Sequence, residues 1–140
     1  VDSGVPVIGH VGLMPQRAGG KFRVQGKNTE DQDRILKDAL AIEQAGASAI
    51  VIEAVYETLA GAITHKLGIP TIGIGASAKC DGQILVSEDM LGLTEGPLPR
   101  FVKTYCDLRS HISQAVNQYK SDVTNRTFPE TKHLYRPKKG

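Results

Sequence analysis

No apolar run in this chain approaches the ~20 residues that a membrane helix requires, and no basic region precedes an apolar stretch near the start. A membrane anchor and a signal peptide are therefore not expected. Cysteine is scarce: Cys80 and Cys106 are the only two. They cannot build a disulfide framework and stand at none of the usual metal-ligand spacings. A reducing, cytoplasmic setting is the expectation. An excess of either charge is also missing, since 17 Lys and Arg against 15 Asp and Glu leave a formal charge of +2. That excludes the broad basic footprint of a nucleic-acid binder. The single basic cluster, Arg136-Pro137-Lys138-Lys139, reads as a solvated end.

What is present is an apolar content of 40%, enough for a core, in a chain of 140 residues, which suits one domain or part of a larger one. The opening, VDSGVPVIG, reads as a helix end, a glycine stop and a strand, as in the middle of a protein. Short apolar runs at residues 5–11, 48–52, 71–74 and 84–86 are nearly continuous, the mark of strands buried on both faces in a parallel sheet. A helix is expected from Thr29, where Thr29-Glu30-Asp31-Gln32 matches a capping box, to a stop at Gly46. A second runs over 57–67, with Leu59, Ala60, Ile63 and Leu67 facing inward. A long helix follows Pro97 and Pro99. Its stripe of Phe101, Tyr105, Leu108, Ile112, Val116, Tyr119 and Val123 is expected to pack on a core. Residues 124–140 have no period and read as an irregular tail after a domain over 1–123. The order β-α-β-α-β-β-α defines an α/β fold with parallel strands, either an open doubly wound sheet or a (β/α) barrel.

In a barrel, functional residues gather at the C-terminal ends of the strands. Here those ends are Gly9-His10, Glu53, Gly75-Ala76-Ser77 and Ser87-Glu88-Asp89. A carboxylate directly after Ile50-Val51-Ile52 would be partly desolvated, which strengthens it as a proton acceptor. Glu53 is thus either a general base or one half of a salt bridge to a neighbouring strand. His10 is either a site residue or a histidine satisfied within the structure. His65, His111 and His133 read as surface residues, and none forms a metal spacing with another ligand type. The stretch GIGASA at 73–78 mimics a dinucleotide fingerprint. A turn and a strand follow it rather than a helix, so no pyrophosphate site is expected there.

The blocks VPVIGHVGLMPQ, FRVQGK, DALAIEQAGASAIVIEAV, IPTIGIGASAKCDGQILVSEDMLGL and PRFVKTY, in this order, resemble the ketopantoate (3-methyl-2-oxobutanoate) hydroxymethyltransferase family. The resemblance runs from about Val1 to Tyr135. It implies a (β/α)8 TIM barrel of the phosphoenolpyruvate/pyruvate type, of which this chain supplies strands five to eight and the C-terminal helices. It implies transfer of a one-carbon unit from 5,10-methylenetetrahydrofolate to 3-methyl-2-oxobutanoate, giving 2-dehydropantoate in pantothenate synthesis. It also implies Mg2+, a cytoplasmic location and a homo-oligomer, typically a decamer. The family's general base lies in its L-E-C-V-P block, here Ile52-Glu53-Ala54-Val55, and falls on Glu53. The histidine of its G-H-L-G-L-T-P-Q block lines the ketoacid site and falls on His10.

The departures are specific. A whole barrel of this type needs ~250 residues, and only the second half is present. The metal-binding carboxylates lie in the other half, so no metal ligand is assigned in this chain. The loop at Arg17-Ala18-Gly19-Gly20-Lys21 is shorter than the family's, E-C-V-P has become Glu53-Ala54-Val55-Tyr56, and Ser77 replaces a glycine. Two further readings stay open. One is a truncated, non-catalytic remnant or interaction module that lacks the metal site. The other is a lyase of the same barrel superfamily.

Overall fold

The computed structural model describes residues 3–14 and 23–136. Pro15, Gln16 and the Arg17–Lys21 loop, named above, lie outside the described residues. Two compact units divide the chain: Val1–Val86 with Pro99–Val102, and Ser87–Leu98 with Lys103–Gly140.

The first unit is a parallel sheet with helices between its strands. In chain order it contains β1 (Ile8–Gly12), α1 (Thr29–Gln44), β2 (Ala49–Glu53), α2 (Glu57–Lys66), β3 (Thr71–Ile74) and β4 (Gly82–Gln83). The four strands lie side by side in sequence order and every pairing is parallel. Register places Val11, Ile50, Ile52, Thr71 and Gly73 on one face. That face meets Ile35 and Ala39 of α1 and Leu59, Ala60 and Ile63 of α2 in an aliphatic core. Gly9 brings β1 close to α1, since a side chain there would collide with Ile42. The opposite face carries Ile8, His10, Val51, Glu53, Ile72 and Ile74.

Local chemistry explains the helix ends. α1 is capped by Asn28, whose side chain accepts from the Asp31 N–H at 2.8 Å. The expected Thr29 capping box is therefore corrected: the cap is one residue earlier, and Gln32 Nε2 donates to the Gly26 carbonyl at 2.9 Å. At the other end Gly46 adopts φ +87°. Its N–H donates to Glu43 O and that of Ala47 to Ile42 O, the paired bonds of a Schellman stop. The entry to β3 is pinned by Asp81, which accepts from the Thr71 N–H at 2.8 Å and from its hydroxyl at 2.9 Å. These bonds hold the Asp81 carboxyl below its ordinary value of 3.8.

The limits of the first and fourth strands differ from those expected. β1 begins at Ile8 and ends at Gly12, so His10 stands within the strand and not at its end. The fourth strand is Gly82–Gln83, and Ile84 contributes one further N–H to Gly73 O at 3.0 Å. Residues 85–86 do not extend it, and Ser87, Glu88 and Asp89 belong to a short helix, α3 (Ser87–Met90).

The second unit contains α3, α4 (Leu108–Thr124) and a 3-10 turn at Thr131–His133. α4 starts later than the sequence suggests because Asp107 caps it, accepting from the Ser110 N–H at 3.1 Å. Phe101 and Tyr105 precede it. An ion pair joins Arg109 to Glu95, and Phe128 stacks edge-on against Tyr119 at 5.7 Å. The expected burial of the apolar stripe is corrected: Ile112, Val116, Tyr119 and Val123 are between 46% and 59% exposed. Periodicity made the helix amphipathic without supplying a surface to cover it. Among the described residues no helix is long and apolar enough to cross a membrane.

Candidate active site at the C-terminal ends of the strands

β1 and β2 bring His10 and Glu53 together. Gly12 is the register partner of Glu53 and His10 that of Val51. Glu53, at the end of β2, and His10, two residues before the end of β1, therefore share the face turned away from α1 and α2. His10 Nε2 lies 3.2 Å from Glu53 Oε2, with side-chain exposures of 34% and 15%. Despite the short distance, Nε2 is buried and has no hydrogen-bond partner among the described residues. A buried donor left unpaired is costly. This one is free to meet an oxygen that approaches the pair from outside. Of the two alternatives for Glu53, the contact to a neighbouring strand is present, and it is made through a histidine.

The backbone around Glu53 is fixed on both sides. Its carbonyl accepts from the Leu13 N–H at 2.8 Å, and the Ala54 N–H donates to Ile74 O at 2.9 Å. The Ala54 carbonyl then accepts from Gln25 N–H at 2.7 Å, and Gln25 bridges to Val55. Three successive strand ends turn through left-handed backbone: Gly12 at φ +93°, Ala54 at +49° and Gly75 at +61°. At Gly12 a side chain would collide with the Glu53 carbonyl and with Val55. Ala54 is buried and carries its Cβ in this strained region. Ser77, in the glycine position of the family block, is also buried. Its hydroxyl accepts from the Lys79 N–H at 3.1 Å and its carbonyl from Gln83 Nε2 at 2.8 Å.

Sequence reasoning placed Glu53 at its strand end but missed Ala54 and Phe101. An alanine gives no warning of positive φ. Phe101 fell into the helical stripe by spacing, although Pro99 two residues before it argues for irregular backbone. The phenyl ring instead rests on Gly75. His65, His111 and His133 are exposed. Among the described residues no group of three or more His, Cys, Asp or Glu side chains could hold a metal ion. One carboxylate and one imidazole do not make the octahedral oxygen shell that Mg2+ prefers.

The family model for ketopantoate hydroxymethyltransferase matches residues 1–131. The chain is 56% identical over 138 residues to a 3-methyl-2-oxobutanoate hydroxymethyltransferase of Rhizobium rhizogenes, covering 97% of this chain and 50% of that relative. It is 53% identical over 137 residues to 3-methyl-2-oxobutanoate hydroxymethyltransferase 2 of Zymomonas mobilis, covering 96% of this chain and 50% of that relative. A relative of the same name from Bdellovibrio bacteriovorus is 51% identical over 137 residues, with 96% and 52% covered. With its parallel α/β sheet and its paired histidine and glutamate, the chain belongs to the ketopantoate hydroxymethyltransferase family, a family of transferases. It spans about half the length of the curated relatives it matches.

Proposed function

We propose that this chain supplies the proton-transfer half of a ketopantoate hydroxymethyltransferase site, with Glu53 as general base and His10 as the substrate-binding residue. The observation that carries the reading is the buried Nε2 of His10, without a hydrogen-bond partner among the described residues, beside the Glu53 carboxylate on the sheet face opposite the one that α1 and α2 cover. In this reading the strands are the fifth to eighth of a (β/α)8 barrel, and that face is the barrel interior.

The C–H beside a ketone is a weak acid. A carboxylate on a rigid strand end, held by the bonds from Leu13 and to Ile74, can approach C3 of 3-methyl-2-oxobutanoate without reorganising. Glu53 takes the C3 proton. His10 donates Nε2–H to a ketoacid oxygen and keeps the substrate in register with the base. The resulting carbon nucleophile forms a C–C bond to the methylene carbon of 5,10-methylenetetrahydrofolate, and both C–N bonds of that carbon break. Water supplies the hydroxyl of 2-dehydropantoate, and the two nitrogens of the leaving tetrahydrofolate take up one proton from that water and the one held by Glu53. Mg2+, when bound by the whole protein, would favour enolate charge on the ketoacid oxygens. The described residues do not fit it, so its ligands are assigned to the half of the relatives that this chain does not span. A cytoplasmic homo-oligomer belongs to the same proposal.

The test is hydrogen–deuterium exchange at C3 of 3-methyl-2-oxobutanoate with Mg2+, followed by NMR. It is run on the chain alone and on the chain combined with a polypeptide carrying the unspanned half of a relative. Exchange is expected in the combined sample, reduced about 100-fold or more by Glu53→Gln, the scale of general-base catalysis. Undiminished exchange in the variant would remove Glu53 as the base. A wild-type chain that exchanges in neither sample would turn the reading to a non-catalytic module.

A further inference from the structure

The residues between α3 and α4 do not form one continuous stretch of the second unit. Pro99–Val102 belongs to the sheet unit, while Ser87–Leu98 before it and the chain from Lys103 after it belong to the other. For four residues the chain returns to the sheet, and the side chain at that return is Phe101. Its ring fills the space where residue 75 lacks a side chain. A Cβ on Gly75 would stand 2.5, 2.6 and 3.0 Å from three of its ring carbons. Gly75 directly follows Ile74, the register partner of Glu53, one strand away. The ring is also 37% exposed, so one part seats on backbone and another is open. It is seated on Gly75, at the same end of the sheet as Glu53 and one strand away, and presents apolar surface there.

We propose that Phe101 is a positioning residue that sets substrate preference: seated on Gly75, it forms an apolar wall for the branched alkyl group of the ketoacid and disfavours ketoacids that lack the branch. The inference rests on the ketoacid reading above. Its physical basis is contact area. A ring beside the strand end gains by covering two methyl groups and gains nothing from a substrate that ends in a single methyl. Gly75 is the other half of the device, because any side chain there would push the ring off its seat.

The experiment compares exchange of the protons beside the ketone in 3-methyl-2-oxobutanoate and in pyruvate, using the combined sample and Mg2+. Phe101→Ala is expected to raise KM for the branched ketoacid about tenfold, at the low end of what an apolar pocket contact supplies, and to leave pyruvate within about twofold of wild type on the same scale. Phe101→Leu keeps an apolar anchor and is expected to fall between wild type and Phe101→Ala, so the test survives if the alanine variant does not fold. Gly75→Ala displaces the ring without deleting it and is expected to shift the ratio in the same direction. Equal losses on both ketoacids, or an unaltered ratio in all variants while Glu53→Gln still abolishes exchange, would overturn the role of Phe101 alone. Failure of the wild type on both ketoacids would overturn the ketoacid reading and this inference with it.

Discussion

Ala54 holds φ +49° with a Cβ, directly after the proposed base, and both its N–H and its carbonyl are hydrogen-bonded in that conformation. Left-handed backbone costs an L-residue roughly 1–2 kcal/mol. Ala54→Gly removes that strain but adds freedom to the unfolded chain, so the urea midpoint is expected to shift stability by less than about 1 kcal/mol. Ala54→Val puts a branched side chain into the same region and into a buried space, and is expected to lose roughly 2–3 kcal/mol. A valine variant as stable as wild type would show that the backbone after Glu53 is not left-handed in solution. The same residue shows why sequence reading stops short of geometry. Glu53 was legible because a carboxylate ending an aliphatic strand is unusual. The turn that aims it was not, because an alanine resembles any other alanine.

At the level of elements, the sheet's first two helices were legible from their punctuation. Apolar spacing and Gly46 define α1, and the cap differed by only one residue because Asn28 and Thr29 are both competent oxygen acceptors. The fourth strand was misplaced because Ile84-Leu85-Val86 has strand composition, whereas the backbone pairing falls on Gly82 and Gln83. Composition reports burial, and pairing is decided by where the turn at Lys79–Asp81 releases the chain. That turn also makes the sheet sensitive to acid. Asp81 has a lower pKa folded than unfolded, because Thr71 donates to its carboxylate through both N–H and hydroxyl. Its contribution is therefore complete above the ordinary value of 3.8 and is lost as pH falls below it toward the folded value. The melting temperature of Asp81→Asn should lie below wild type at pH 6, and the gap should narrow at pH 3. A gap that stays constant would mean that the carboxylate's charge contributes nothing at the entry to β3.

For the whole molecule, the apolar face of α4 is the clearest mismatch between pattern and packing. Ile112 and Val116 repeat at helical spacing, yet both are more than half exposed. Truncating a buried Ile or Val pair would cost several kcal/mol, roughly 2–5 for a large aliphatic reduced to alanine. The double variant Ile112→Ala with Val116→Ala is instead expected to change the stability of this chain by less than about 0.5 kcal/mol, with helicity by circular dichroism unchanged or slightly higher. A loss of several kcal/mol would show that the face is covered in solution. The amphipathic period was fully readable, because it depends only on residue order within one helix. Its burial was not, because burial depends on what the rest of the fold brings to it.

The strict sequence order of the sheet, β1-β2-β3-β4, has a consequence for how the chain is made. On the ribosome, each strand can add to the growing edge as it emerges, and no earlier pair has to reopen to admit a later arrival. Once residue 53 has left the exit tunnel, β1, α1 and β2 are all available to pair and pack, and α2 adds its share of the core afterwards. The strands that carry His10 and Glu53 are thus both made before the segment that brings Phe101 to Gly75.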